Sequence, residues 1–241
     1  LRAELVDSGM YVHLYPEHPV IAYRDFTVNR RNYIYLNNHQ QLFADVALLA
    51  DDGTGLQIYG QPRDSVNDLT VSVKRLNLGE LSNVLPYLPR IEGLLSGDVH
   101  LLQSPNDLSA MTMLEVDGMA FEGTPLGRIG LNATYMPDTV HHLFDASVLR
   151  NDDEILQCSG VYADKGGGYF AGRAQLVRFP LGILNGFMAG SDMAFTGDCN
   201  GAVTLRGPVD TLRIDGEVVF DSAHVYSDVY GFDFRMADTP I

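Results

Sequence analysis

The sequence predicts an all-β protein: an elongated, curled, antiparallel-rich sheet, a taco-like half-pipe of repeated modules carrying two short amphipathic helices. Three observations predict it. Apolar and polar residues alternate with a period of two through most of the chain, as in strands that hide one face from water. The joints between these runs are rich in Gly, Asn, Asp and Pro, which supply turns. The chain also repeats itself: Gly93 to Gly130 lies without a gap on Gly197 to Phe234, 104 residues further on.

The coincidences of that repeat are Gly93/Gly197, Gly97/Gly201, Val99/Val203, Leu101/Leu205, Leu108/Leu212, Asp117/Asp221 and Gly127/Gly231. Upstream, Leu78-Gly79-Glu80-Leu81 meets Leu181-Gly182-Ile183-Leu184. Glycines fall at turns, branched apolar residues inside strands and an aspartate at a strand end, which points to repeat architecture ahead of an enzyme. The expected organisation is a strand-rich beginning over 1–75, a first module over 76–178 and a second, truncated module over 179–241. The chain starts and stops in mid-pattern, with no initiator methionine, signal peptide or membrane-length apolar run, and reads as an internal piece of a longer protein.

In order, the first strands are expected at Gly9–Tyr15, Val20–Val28, Asn32–Leu36, Leu42–Ala50, Gly55–Gly60 and Asp68–Arg75. Leu69, Val71 and Val73 face one way in the last of these, and a one-residue slip exposes them all. At Leu78 the period changes: Leu78, Leu81, Leu85 and Leu88 recur at helical spacing, stopped by Pro86 and Pro89. A counterpart helix is expected near 180–189, on Leu181, Leu184 and Met188, and each helix is placed as a plug over one end of a sheet. Between the helices, strands are expected through Leu108–Asp117 and Ile129–Tyr135, then at His142–Arg150, Glu154–Ala163 and Gly168–Val177. The second module is expected to close with Gly201–Arg206, Leu212–Phe220, Ala223–Ser227 and Tyr230–Met236. Strands of about eight residues make a wall roughly 25 Å across, and about fifteen of them run on the order of 70 Å.

Alternation assigns an inner face. In the first module it comprises Val99, Leu101, Leu108, Leu114, Val116, Ile129 and Leu131; in the second, Val203, Leu205, Leu212, Ile214, Val218, Phe220, Phe232 and Phe234. A trough so lined favours acyl chains or an unpaired apolar strand by about 25 cal/mol per Å² removed from water.

Several chemistries find no support. Acidic residues outnumber basic ones 31 to 16, a net charge of −15, which argues against nucleic acid and against electrostatic docking on anionic membranes. His141 and His142 are strand neighbours and point to opposite faces, so they do not grip one ion. His13, His18, His39, His100 and His224 are scattered. Asp51-Asp52 and Asp152-Asp153-Glu154 read as solvated turn acids. Gly166-Gly167-Gly168 opens a strand rather than a phosphate-binding helix. Cys158 and Cys199 form either one bridge or two buried thiols, and the methionines (Met111, Met113, Met188, Met193) read as core filling or as an adaptable contact surface. The expectation is no enzyme, no metal and no cofactor.

One pattern goes further. A short amphipathic helix at 181–184 is followed by Gly201 to Leu205, the Gly207-Pro208 turn, Leu212-Arg213-Ile214-Asp215-Gly216-Glu217-Val218, and Tyr230-Gly231. This order, over about Asp68 to Met236, resembles the AsmA-like superfamily and within it the TamB family, the translocation and assembly modules of diderm bacteria. The first module departs from it with Gln103-Ser104-Pro105 in place of the Gly-Pro turn. The resemblance implies a periplasmic location, an inner-membrane anchor elsewhere in the parent and an Omp85-like outer-membrane barrel as partner. It implies roles in phospholipid movement and in outer-membrane protein assembly. Three functions are therefore weighed: a lipid-conducting segment, a chaperone for outer-membrane β-strands, and a structural β-sandwich with a closed core.

Overall fold

A computed structural model describes the chain except for residues 22–23, 39–40, 64–65, 85–89, 105–106, 139, 164–167, 188–191 and 237–241. The first third holds β1 (Arg2–Val6), β2 (Gly9–His13), the short pieces β3 (Val20–Ile21), β4 (Arg24–Asp25) and β5 (Thr27–Val28), then β6 (Tyr33–Asn37), β7 (Leu42–Leu49), β8 (Gly55–Arg63) and β9 (Val66–Asn77). Helix α1 (Leu78–Val84) leads to β10 (Ile91–Gln103), β11 (Leu108–Phe121), β12 (Thr124–Pro137), β13 (His141–Arg150), β14 (Asp153–Ala163) and β15 (Tyr169–Pro180). A 3-10 turn (Leu181–Ile183) and helix α2 (Leu184–Phe187) precede β16 (Ala194–Pro208), β17 (Arg213–Ser227) and β18 (Phe232–Arg235).

All but β3 and β4 join one antiparallel sheet of 16 strands, a meander in chain order from β1 to β18 with β5 pairing on β7. Each strand folds back on its predecessor because short polar turns join runs of equal period, which antiparallel pairing allows. The sheet is one continuous, curled layer that does not close on itself.

The two modules have the same parts in the same places. The strand pair β10–β11 answers β16–β17, and α1 answers the Leu181–Phe187 segment; both helical segments follow a strand that ends on the same long rim of the sheet. This is the helix rim, and the opposite one is the open rim. Helix α1 ends at Val84 among the described residues; Leu85, Leu88 and their flanking prolines lie outside them, as does Met188.

Three expectations need correcting. Val20–Val28 is not one strand: Phe26 is buried and its amide donates to the Pro19 carbonyl (2.8 Å), folding the segment back. The Arg24 guanidinium then ties that fold to Asp52 (3.0 Å) and to Glu80 of α1 (3.6 Å). Conversely, Leu212–Phe220 and Ala223–Ser227 are one strand, β17, because Ser222 takes a positive φ (49°) in a bulge where a turn was expected. The strands are also longer than eight residues. From β9 to β17 they run 10 to 15 residues, about 33 to 50 Å of backbone. Strand β1, which the alternation did not announce, pairs along its whole length with β2.

The sheet bends along a crease. Register shifts interrupt the β9–β10, β10–β11, β11–β12, β13–β14, β15–β16 and β16–β17 pairings, and all of them lie toward the helix rim. A bulge bends its strand and sharpens the local twist, so a row of bulges folds the whole sheet. Two contacts show that the sheet also curves along its strand order. The Leu42 amide on β7 donates to Gln103 Oε1 on β10 (2.9 Å), reaching past two intervening strands. The Leu181 turn touches both β16 and β12, four strands apart. The chain exposes 15251 Å², against about 10,700 Å² for a compact monomer of this mass.

Candidate functional site

Register shows what the curled sheet encloses. On one face, Leu48, Leu56, Val73, Gly97, Leu114, Leu131, Val148, Leu156, Leu176, Gly201 and Val218 pair in succession across eleven strands. The next row on that face runs from Val46 through Val71, Val99, Ala133, Ala146, Cys158 and Val203 to Gly216, with Thr112 its one hydroxyl. A third runs from Gly60 through Leu69, Leu101, Tyr135, Phe144 and Leu205 to Ile214. None of these rows holds a charged residue. The opposite face carries Gln57, Ser72, Asp98, Asn132, Ser147, Gln157, Gln175 and Glu217 in register.

All fifteen residues assigned to the inner face by alternation lie on this apolar side. Val99, Leu101, Leu114, Val116, Ile129 and Leu131 are half-buried near the middle, and Leu108 stands at the open rim opposite Gln103. Val203, Leu205, Val218 and Phe220 are half-buried, whereas Leu212 and Ile214 are exposed. Phe232 and Phe234 pair with Ser227 and Val225 at the last edge, their rings 5.1 Å apart, and Ile214 and Phe234 remain 68% and 64% exposed. From β11 to β18 this apolar face is incompletely covered and leaves an open groove-like surface, whereas at its β7–β9 end Val46 and Leu69 are buried as a core. Its members on β7 to β9 and β13 to β15 escaped the module-based assignment, although their period is the same; strand pairing, which alternation does not specify, brings them into line.

The floor is built for room. Gly160 and Gly172 face each other on β14 and β15, and the stacked rings of Phe144 and Phe170 lie over them, 5.4 Å apart. A Cβ on Gly160 would sit 2.3 Å from Phe144 Cζ. At the helix rim the groove is stopped. Leu181, Cys199 and Ala223 form a buried cluster with Phe179, Phe195, Val218 and Phe220 packed around it, so the Leu181 turn is the plug expected there. At the open rim the lining becomes amphipathic: the Tyr135 hydroxyl and His142 Nδ1 are 2.7 Å apart, and His142 lies between the Tyr135 and Tyr162 rings.

The residues set aside above are placed as follows. His142 pairs with Tyr162 on the groove face and His141 with Ala163 on the other, so the two rings diverge. Asp52 lies in a turn, its carboxyl held below the usual range by the Thr54 amide first and Arg24 after it. Asp152 and Asp153 make exposed ion pairs with Arg128 and Arg178. Met111 and Met113 are exposed on the polar face, not in the groove. Cys158 and Cys199 are both free thiols. His39 and the Gly166-Gly167 pair lie outside the described residues. Among the described residues, no three His, Cys, Asp or Glu side chains gather as a metal-ligand set. Set beside known proteins, the chain matches no family model, no curated protein and no solved structure, so the groove carries the functional argument.

Proposed function

We propose that this chain is a periplasmic segment of an AsmA-like, TamB-type bridge between inner and outer membranes, and that its groove conducts phospholipid acyl chains. One observation carries the reading: an uncharged apolar face runs in register across eleven strands and stays partly exposed from Leu108 on β11 to Ile214 on β17. Each methylene entering the groove gains about 0.8 kcal/mol, and a surface mainly of valine, leucine, alanine and glycine offers a sliding chain few polar footholds. Headgroups stay at the wet rim. The glycine pattern of the two modules supports the family assignment.

The test is native mass spectrometry of gently purified protein. Retained phospholipid is expected, and it should be lost in Ile214→Arg, which puts an unpaired charge on the groove wall. Ile214 is mostly exposed, so that variant should keep its stability to within about 0.5 kcal/mol. Absence of lipid from the wild-type protein, together with no protection of Cys158 from maleimide by added phospholipid, would remove the reading.

A second reading has its own observation. Strand β18 covers only the last four residues of β17, and from Arg213 to Ser222 the outer edge of β17 has no strand partner among the described residues. Such an edge can accept a strand of an outer-membrane client. Site-specific crosslinking from Glu217 to an unfolded barrel protein tests it, and crosslinks confined to the groove face would count against it.

A further inference from the structure

We infer that the open-rim end of β16 and β17 holds a binding site for a phosphate group, formed by Arg206 and Arg213. The two arginines are direct cross-strand partners on the polar face, opposite the groove. Side chains so paired have Cβ atoms about 5 Å apart, and like charges placed there repel. Both are exposed, and neither makes an ion pair or a side-chain hydrogen bond among the described residues. Arg2, Arg24, Arg128 and Arg178 have carboxylate partners, and Arg30, Arg31, Arg75, Arg90 and Arg235 have none among the described residues; what sets Arg206 and Arg213 apart is that they face each other directly across two strands of an acidic chain.

The surroundings add to the positive charge. Ala171 pairs with Arg206 from β15, and Arg173, two residues along, brings a third guanidinium to the same face, engaged only with Gln175 at 3.4 Å. Two acids lie nearby: Asp215 pairs across the strands with Thr204, and Asp210 sits in the turn between the strands; neither is within ion-pair distance of either arginine. Tyr169 is exposed beside Pro208 on the neighbouring strand. Two forked guanidinia side by side on adjacent strands suit an anion with several oxygens, which each fork can grip in a bidentate way; one carboxylate is satisfied by one fork.

The pair alone carries this inference, which does not depend on the groove reading. The two meet at the rim, because Gly207 and Leu212 lie on the groove side between these arginines, so the phosphate can belong to a lipid headgroup or be free in solution. Calorimetric titration of the purified protein at low ionic strength distinguishes the sources, using inorganic phosphate, monomeric dihexanoyl phosphatidylglycerol, dihexanoylglycerol and acetate as probes. A phosphate-bearing probe is expected to bind, and Arg206→Gln or Arg213→Gln to weaken it by about tenfold or more. Arg206→Lys should lose less, and Arg30→Gln, far along the sheet, nothing. Tighter binding of the phosphatidylglycerol than of inorganic phosphate assigns the site to headgroups, and equal binding assigns it to free phosphate. Both glutamine variants should melt at or above the wild-type temperature, since each relieves the repulsion. The inference is overturned if neither phosphate probe binds, if acetate binds as well as phosphate, or if both glutamine variants bind like the wild type.

Discussion

Gly97 and Gly201, which the internal repeat aligns, do the same work in their two modules. Both have positive φ, 138° and 157°, and a Cβ would lie 2.1 Å from the Met113 carbonyl oxygen in one case and 2.2 Å from that of Glu217 in the other. The neighbouring strand's backbone leaves no room to relax, so alanine at either position should cost roughly 2–3 kcal/mol in urea melts. Gly118, with φ of 63° and open space around it, should lose only about 1 kcal/mol on the same change. The two thiols give a second expectation. Burial and then Asp198 raise the pKa of Cys199, and burial and then Asp145 raise that of Cys158. The folded protein therefore holds these protons to higher pH than the unfolded chain, which releases them near 9.0. Stability is indifferent to the thiols below that pH and falls as pH rises above it. Melts from pH 8 to 10 should show a shallower decline for Cys199→Ala than for the wild type, and in the native protein at pH 7.5 maleimide should label Cys158 before Cys199.

At the scale of elements, the 3-10 turn at Leu181 holds the second module's end of the groove shut. Leu181 is 5% exposed against Cys199 and Ala223, and truncating it to alanine should cost about 2–4 kcal/mol by the cavity it leaves. The same change should speed labelling of Cys199 well beyond that loss of global stability, because the plug opens locally. The plug was legible in the sequence, since the change of period from two to three and four at Leu78 and Leu181 marks both helical segments. The facing of the strands was legible too, because alternation between Leu108 and Val116 or Ile129 and Tyr135 leaves one answer. The bulges were not. A bulge at Ser222 needs a non-glycine residue in a left-handed conformation, and Asp221-Ser222 reads as a turn until the neighbouring β16 is seen to run straight past it. The arginine pair was hidden for a related reason: Arg206 and Arg213 meet only through the register of a hairpin whose turn length fixes it.

The whole molecule departs from the usual economy of a chain of 241 residues, which buries its apolar surface in a compact core. Here fifteen strands follow one path, and at about 4.8 Å between neighbours they extend roughly 67 Å. The crease of bulges curls the strands across that axis, and the Leu181 turn closes part of one long side. Shape in solution therefore separates this architecture from a sandwich of the same composition. A compact domain of this length has a radius of gyration of about 18 Å. A rod-like half-pipe about 67 Å long contributes roughly 19 Å from its length alone and exceeds 20 Å once its width is added. Small-angle X-ray scattering of monodisperse protein should give a value above 20 Å and a skewed distance distribution with a maximum near 70 Å. Adding phospholipid should leave the length unchanged, because chains entering the groove fill space already enclosed by the curl. A radius of gyration near 18 Å would mean that the sheet folds flat on itself, bringing Val99 and Val203 from the two ends of their shared row into contact, and no continuous groove would remain.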